Sequence, residues 1–484
     1  TNKENVFVLV DEAHRSHYGF MAAFMRKSLK NAKFIAFTGT PIDKDTKSTL
    51  GKFYGGQYLD VYNIKQSVED GSTVPILYED GLPKLYVEKE LMESQFDLLF
   101  KGESDEKKEL LKKRASRIDK YMLAQERIKR ISEHIIDHYK TKIYPAGHKG
   151  MVVCHNRAAA IAYKKAFDEL KELGVHSFNS RVVMSFSYKK DPQKYFDLAT
   201  AEEDLKQAKE DFKLPFGDES QLTKGGKKQF NNDALIIVSD MLLTGYDAPI
   251  ASVMYLDKLL KEHNLLQGIA RVNRTKVGKN AGLIVDYCGV TEHLVEALKI
   301  FAGDINPSDI MVNIKEEIEL LKRRHSQLVA FFRELKSDRI KQRQEYIDEA
   351  VHYLEPKDLR DEFLTLLKKF NDSMSIVLPD PKALDYQEDF YLFNEIKLVV
   401  FNTFSPSIAI TKEDNRKIQK LIDEHLRATG IENLLEHPVS IIDAKKFKEE
   451  INKTFSGKSK ELKIKNRIRH TIRVEIDKNP EFYK

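Results

Sequence analysis

Apolar residues along the chain fall into three regimes. Val6-Phe7-Val8-Leu9-Val10 and Phe34-Ile35-Ala36-Phe37 are short unbroken runs, rich in β-branched and aromatic side chains, and predict strands buried on both faces of a parallel sheet. A helix over 19–30 between them completes a βαβ unit, with Asp11-Glu12 and Thr38-Gly39-Thr40-Pro41 at the carboxyl ends of the strands, where open α/β sheets bind ligands. A strand this early is expected of a sequence that opens inside a domain. From 85 to 142 the pattern turns charged and helix-favouring, and residues 101–130 carry 11 Lys/Arg against 6 Asp/Glu, which predicts a helical connector. Five further apolar runs, at 150–154, 182–186, 235–238, 253–256 and 282–285, predict a second parallel-sheet domain over 143–290. A polar stretch with Gly225-Gly226 interrupts it at 191–232 and is expected to be a mobile surface insertion. Beyond 290, Ile314, Ile318, Leu321, His325, Leu328, Phe332 and Leu335 recur every three or four residues, the stripe of a long helix with His325 as a packing residue. The expected fold is therefore α/β: two parallel-sheet domains, the first (1–84) incomplete, then an all-α domain over 291–484.

Composition narrows the class of protein. With 484 residues, 32% charged and 41% hydrophobic, the chain is globular and of several domains. No run approaches the ~20 apolar residues that span a bilayer, so no membrane partner is expected. Cys154 and Cys288 are the only cysteines, too few for a disulfide framework or a four-cysteine zinc site, and they fit a reducing cytoplasm. Net charge is only +5, yet residues 441–484 hold 13 Lys/Arg against 7 Asp/Glu, so the basic excess sits at the C-terminus, as a solvated face or a surface for an acidic partner or nucleic acid.

Candidate chemistry lies at the strand ends. An acidic pair such as Asp11-Glu12 suits metal-assisted phosphoryl chemistry, one carboxylate holding Mg²⁺ while the next orients water. Arg271 and Arg274, three apart in Gln267-Gly268-Ile269-Ala270-Arg271-Val272-Asn273-Arg274, would share one face of a helix and could stabilise a transferring phosphoryl group, or simply form surface ion pairs. The segment from Ser239 to Pro249 offers Thr244, Gly245 and Asp247 in a tight loop able to meet phosphates through backbone N–H groups. Two weaker patterns are set aside. Pro379-Asp380 with Glu395-Ile396-Lys397 matches a nuclease expression, but on a helix Glu395 and Lys397 diverge by about 200°; His134 and His138 lack a third metal ligand and are expected on a solvated helix.

In this order the segments resemble motifs II, III, V and VI of superfamily 2 helicases and translocases: Asp11-Glu12-Ala13-His14, Thr38-Gly39-Thr40, Thr244-Gly245-Tyr246-Asp247 and Gln267 to Arg274. The wording VDEAHRSHYG, FTGTPI, SDMLLTGYDAP and LLQGIARVNRT is similar to the motor of the R subunit of type I restriction enzymes. That resemblance implies two RecA-like motor domains, ATP and Mg²⁺ as cofactors, and double-stranded DNA with modification and specificity subunits as partners, docked through the helical domain. It implies that Asp11 coordinates Mg²⁺, Glu12 activates water, and His14, Thr38 and Thr40 couple nucleotide state to DNA. It further implies that Thr244 senses DNA phosphate, that Gly245, Asp247 and Gln267 border the nucleotide, and that Arg271 and Arg274 act as fingers. Asn273 stands where the common form of motif VI has glycine.

No GxxxxGK[ST] precedes Asp11, and Gly457-Lys458-Ser459 has no buried strand before it, so half an ATP site is expected here, with the nuclease of such an enzyme outside the chain. Two rivals stay open: the motor of a type III restriction or DNA-repair helicase, and a non-catalytic scaffold that binds DNA or partner subunits.

Overall fold

A computed structural model describes residues 3–13, 19–39, 59–185, 191–217, 230–260, 262–291, 294, 295, 298, 314–404, 410–433 and 435–456. The chain forms two compact units, one of residues 1–61 with 303–408, the other of residues 62–302 with 409–484.

In the first unit, β1 (Phe7–Val10) pairs in parallel with β2 (Lys33–Ala36), Phe7 opposite Lys33 and Val10 opposite Ala36. The helix Phe20–Ser28 crosses between them, so the βαβ reading holds. Burial on both faces does not. Among the described residues β1 has only β2 as a neighbour, and Phe7 and Leu9 are 58% and 67% exposed. The helices Ile314–Phe331, Arg343–Tyr353, Lys357–Val377 and Gln387–Phe404 form a bundle in which the predicted stripe is the seam, Leu321, Leu328 and Phe332 being buried. Ala23 and Phe20 join that core. His325 is a packing histidine, its Nε2 2.7 Å from Asp389. Glu395 pairs with Arg343 at 2.7 Å while Ile396 is buried, which fits the helical reading that set the nuclease pattern aside.

The second unit is built on a seven-stranded sheet in the order β11-β3-β9-β8-β5-β7-β6. Its strands are β3 (Ile76–Asp80), β5 (Lys149–Cys154), β6 (Asn179–Val182), β7 (Asp233–Val238), β8 (Ala251–Asp257), β9 (Gly282–Asp286) and β11 (Val439–Ser440), all parallel except that β11 runs antiparallel to β3. Apolar clusters cover both faces, as a parallel sheet requires.

Several boundaries differ from the sequence reading, each for a physical reason. β3 sits beside β9 although 1–84 was expected in the first domain; its Glu79 and Asp80 interrupt the apolar run yet are buried and bonded, Glu79 to Lys142 at 2.9 Å and Asp80 to the Leu435 N–H at 3.0 Å. The expected connector is a layer of this unit. β4 (Leu82–Val87) pairs antiparallel with β10 (Leu426–Glu432), and the helix Gln125–His138 buries Ile128, Ile131, Ile135 and Ile136. His134 and His138 are accordingly not solvated, and their Nδ1 atoms lie 2.7 and 2.9 Å from the hydroxyls of Tyr287 and Tyr255. Among the described residues no group of three or more His, Cys, Asp or Glu could hold a metal. Within the expected mobile insertion, the helix Leu205–Phe212 packs Leu205, Ala208 and Phe212 into the core; residues 218–229 lie outside the described residues. The run at 182–186 is strand only up to Val182. After the bundle the chain returns to this sheet through the helix Lys412–His425, β10, β11 and the helix Ala444–Ser456, so 291–484 is not all-α. The basic stretch beyond 456 lies outside the described residues. Among those described, no helix is long and apolar enough to cross a membrane.

Candidate functional site

At the carboxyl end of β1, Asp11 is exposed and its Oδ1 accepts the Glu12 N–H at 2.8 Å. Glu12 has φ +47°, a left-handed conformation that costs a non-glycine residue about 1 kcal/mol or more and turns the chain sharply off the strand. Ala13, fully buried, then donates its N–H to Phe37 O at 3.1 Å, and Phe37 donates to Val10 O at 2.8 Å. These bonds lace the two strand ends together, so Thr38 leaves the sheet beside Asp11-Glu12. His14 and Thr40 lie outside the described residues. An exposed carboxylate is the hard oxygen donor that Mg²⁺ prefers, so Asp11 fits that ion in donor chemistry.

In the second unit, Thr244, Gly245 and Asp247 occupy the loop after β7, where Leu242 and Gly245 both have φ +72°. The helix Glu262–Ile269 delivers Gln267, which is buried, and stops there. The expectation that Arg271 and Arg274 share a helical face is therefore corrected. Arg271 lies in a turn closed by its N–H on Gly268 O at 2.9 Å; beyond it the backbone runs extended, Asn273 O accepting the Val74 N–H at 2.8 Å and Arg274 bridging Thr73. Sheet-edge pairing of residues 73 and 74 outcompetes helix propagation at that point. Both arginines nonetheless reach one loop. Arg271 donates Nε to Gln267 O at 2.9 Å and Nη1 to Tyr246 O at 2.7 Å, while Arg274 Nε lies 3.5 Å from Asp247, with both of those side chains largely open to solvent. The Tyr246 hydroxyl donates to Lys209 O at 2.7 Å, so the inserted helix braces the same loop.

A cavity of about 290 Å³ opens where β5, β6 and β7 end, lined by His155, Asn156, Arg157, Met184, Ser185, Ser239, Asp240 and Met241. Asn156 caps the helix Arg157–Glu172 by accepting the Ala159 N–H at 2.9 Å, which sets that helix N-terminus and its partial positive charge at the cavity. Arg157 donates to Ser185 O at 3.2 Å and pairs with Asp191 at 3.1 Å. Lys258, the residue after β8, reaches across to donate to Ser239 O at 3.2 Å and to Asp240 at 2.5 Å. Burial would raise the Asp240 carboxyl, but the bond and charge of Lys258, with the Ser239 hydroxyl and the Arg157 charge, hold it below the ordinary carboxylate range. Sequence reasoning quoted Ser239 and Asp240 but missed Asn156, Arg157, Ser185 and Lys258. The capping residue followed by a basic residue directly after a buried strand was the available signal for the first two.

The class of protein follows from comparison with known families. The sequence profile of the SWI2/SNF2 ATPase matches residues 1–109, that of type I restriction enzyme subunit R domain 3 matches 146–289, and that of the type I restriction enzyme HindI endonuclease subunit-like C-terminal region matches 306–479. The MjaIXP relative of Methanocaldococcus jannaschii, named among type I restriction enzyme endonuclease subunits, is 30% identical over 100% of this chain and 46% of its own length. The type I restriction enzyme HindI endonuclease subunit of Haemophilus influenzae is 32% identical over 66% of this chain and 31% of its own. A solved structure, the ATP-dependent Type ISP restriction-modification enzyme LlaBIII bound to DNA, shares 14% identity over 98% of this chain and 34% of that one with a TM-score of 0.34, too weak a likeness to carry an argument. The chain belongs to the R-subunit family of type I restriction enzymes. It spans less than half the length of these curated relatives.

Proposed function

We propose that this chain is motor sequence of a type I restriction enzyme R subunit, driving ATP-dependent translocation of double-stranded DNA in a cytoplasmic complex with modification and specificity subunits and feeding cleavage by a nuclease elsewhere in the enzyme. The observation that carries the reading is the convergence of the two arginines of motif VI on the loop of motif V, whose first residues line a cavity with a helix N-terminus and Arg157 at its edge. Such an arrangement ties a nucleotide-responsive cation to a loop able to hold a backbone phosphate.

ATP·Mg²⁺ supplies the free energy of phosphoryl transfer. Asp11 would hold the ion, Glu12 would orient and deprotonate water, and Arg274, the more open arginine, would meet developing phosphoryl charge. Arg271, spent on two carbonyls, would brace the loop. Gln267, Gly245 and Asp247 would border the nucleotide, Thr38 with His14 and Thr40 would relay its state, and Thr244 would contact DNA phosphate.

The test uses the R subunit that contains this chain, assembled with its partners on linear duplex. Glu12→Gln should abolish DNA-stimulated hydrolysis while nucleotide binding persists, and Arg274→Ala should lower kcat by about 10³-fold. Wild-type displacement of a third strand from a downstream triplex should require ATP. Unchanged turnover in both variants, or displacement without ATP, refutes the reading.

A further inference from the structure

The cavity at the ends of β5, β6 and β7 holds a carboxylate where the proposed function needs room for a phosphate. Asp240 lines it, exposed, beside the N-terminus of the helix Arg157–Glu172. A phosphodiester entering there would meet a like charge, and such a juxtaposition opposes binding unless a cation offsets it. One cation does so from outside the lining. Lys258 stands after Asp257 at the end of β8, and β8 and β7 flank β5 on opposite sides. Its side chain spans the end of β5 to donate to Asp240 Oδ1 at 2.5 Å and Ser239 O at 3.2 Å, with Nζ only 15% of the way to full exposure as a side chain. The second cation, Arg157, is turned to Ser185 O and Asp191.

We propose that Lys258 is a positioning residue for nucleic-acid binding: it masks the Asp240 charge and pins the start of the loop 239–247, so that the cavity accepts a phosphodiester that Lys258 itself does not contact. The assignment rests on the proposed function. It makes a prediction that an ordinary phosphate-binding lysine does not. Removing Lys258 harms binding by unmasking Asp240, and neutralising Asp240 as well repairs the loss.

The experiment measures binding of the R subunit to a mixed-sequence duplex of about 20 bp as a function of salt. Lys258→Met should weaken binding about tenfold, Lys258→Arg should retain it, and Asp240→Asn should leave it equal or tighter. The double variant Lys258→Met with Asp240→Asn should return to within about threefold of wild type, with the wild-type salt slope, because the pair is again neutral. A double variant that stays weak and whose slope falls by about 0.9 makes Lys258 a direct phosphate ligand and overturns the proposal. Arg157→Gln separates the two levels of the argument: if it weakens binding while Lys258→Met does not, only the Lys258 assignment fails. If neither variant changes binding, the cavity does not hold DNA and the underlying reading fails with it. Far-UV circular dichroism melts of each variant, with Lys258→Arg as the conservative control, exclude loss of fold as the cause.

Discussion

Arg127→Met should destabilise the second unit strongly, and the reason is legible atom by atom. Arg127 and Asp257 are both fully buried, and the guanidinium nitrogens lie 2.9 and 2.5 Å from the two carboxylate oxygens. Burial alone would strip the proton from the guanidinium, but Asp257 outweighs it and keeps Arg127 charged, with Tyr163 and Cys288 adding to the effect. Asp257 also accepts the Tyr163 hydroxyl at 2.7 Å. Taking away Arg127 leaves a buried carboxylate with only neutral donors, a loss of about 3–5 kcal/mol. At about 2–4 °C per kcal/mol for a unit of this size, the melting temperature should drop by about 6–20 °C. Adding Asp257→Leu should recover most of the loss, since the desolvation of both charges disappears together, leaving about 1 kcal/mol for the orphaned Tyr163 hydroxyl. The protein has no tryptophan, so unfolding is followed by far-UV circular dichroism, with hydrogen exchange at β5 and β8 amides isolating the second unit. A single variant that loses less than about 1 kcal/mol, or a double variant no better than the single, would refute the argument. Because Asp257 directly precedes Lys258, the same pair fixes the strand end from which the cavity is reached.

Two further outcomes follow from packing and charge. Gly282→Ala would place a Cβ 2.3 Å from the Val272 carbonyl oxygen, so β9 and the extended segment carrying Arg271 and Arg274 must separate; stability should fall by about 1–3 kcal/mol with loss of DNA-stimulated turnover, and an unchanged urea midpoint would contradict the contact. His134 is held down to about 4, first by burial and then by the charge of His138, so the unfolded chain binds more protons between about pH 6.5 and 4. That stability is fully present above the unfolded value and is lost as pH falls through the folded one. His134→Gln, which keeps a partner for Tyr287, should flatten the decline in melting temperature from pH 7 to 4.5, and parallel wild-type and variant profiles would assign the decline elsewhere.

The sequence by itself determined the parts of this protein whose physics is local. A run such as Leu235-Ile236-Ile237-Val238 can be satisfied only inside a sheet covered on both faces, and the stripe from Ile318 to Phe332 only against other helices; both lie where their patterns place them. The motif segments were equally legible, because phosphate chemistry demands short, distinctive sets of residues at strand ends. Tertiary structure decided what depends on partners far along the chain. β3 was hidden because Glu79 and Asp80 look like surface residues until Lys142 and the Leu435 amide are brought to them. The helix Gln125–His138 read as a charged connector because its Arg127 is buried only by virtue of Asp257, 130 residues away. Arg271 and Arg274 were assigned to one helix face from their spacing, yet pairing of Thr73 and Val74 with the segment after Ile269 holds it extended. Lys258 drew no attention at all, since a lone lysine after a strand carries no local signal. Only the crossing of β5 between β7 and β8 sets its amine against Asp240, and charge that is meaningful solely in three dimensions cannot be read in one.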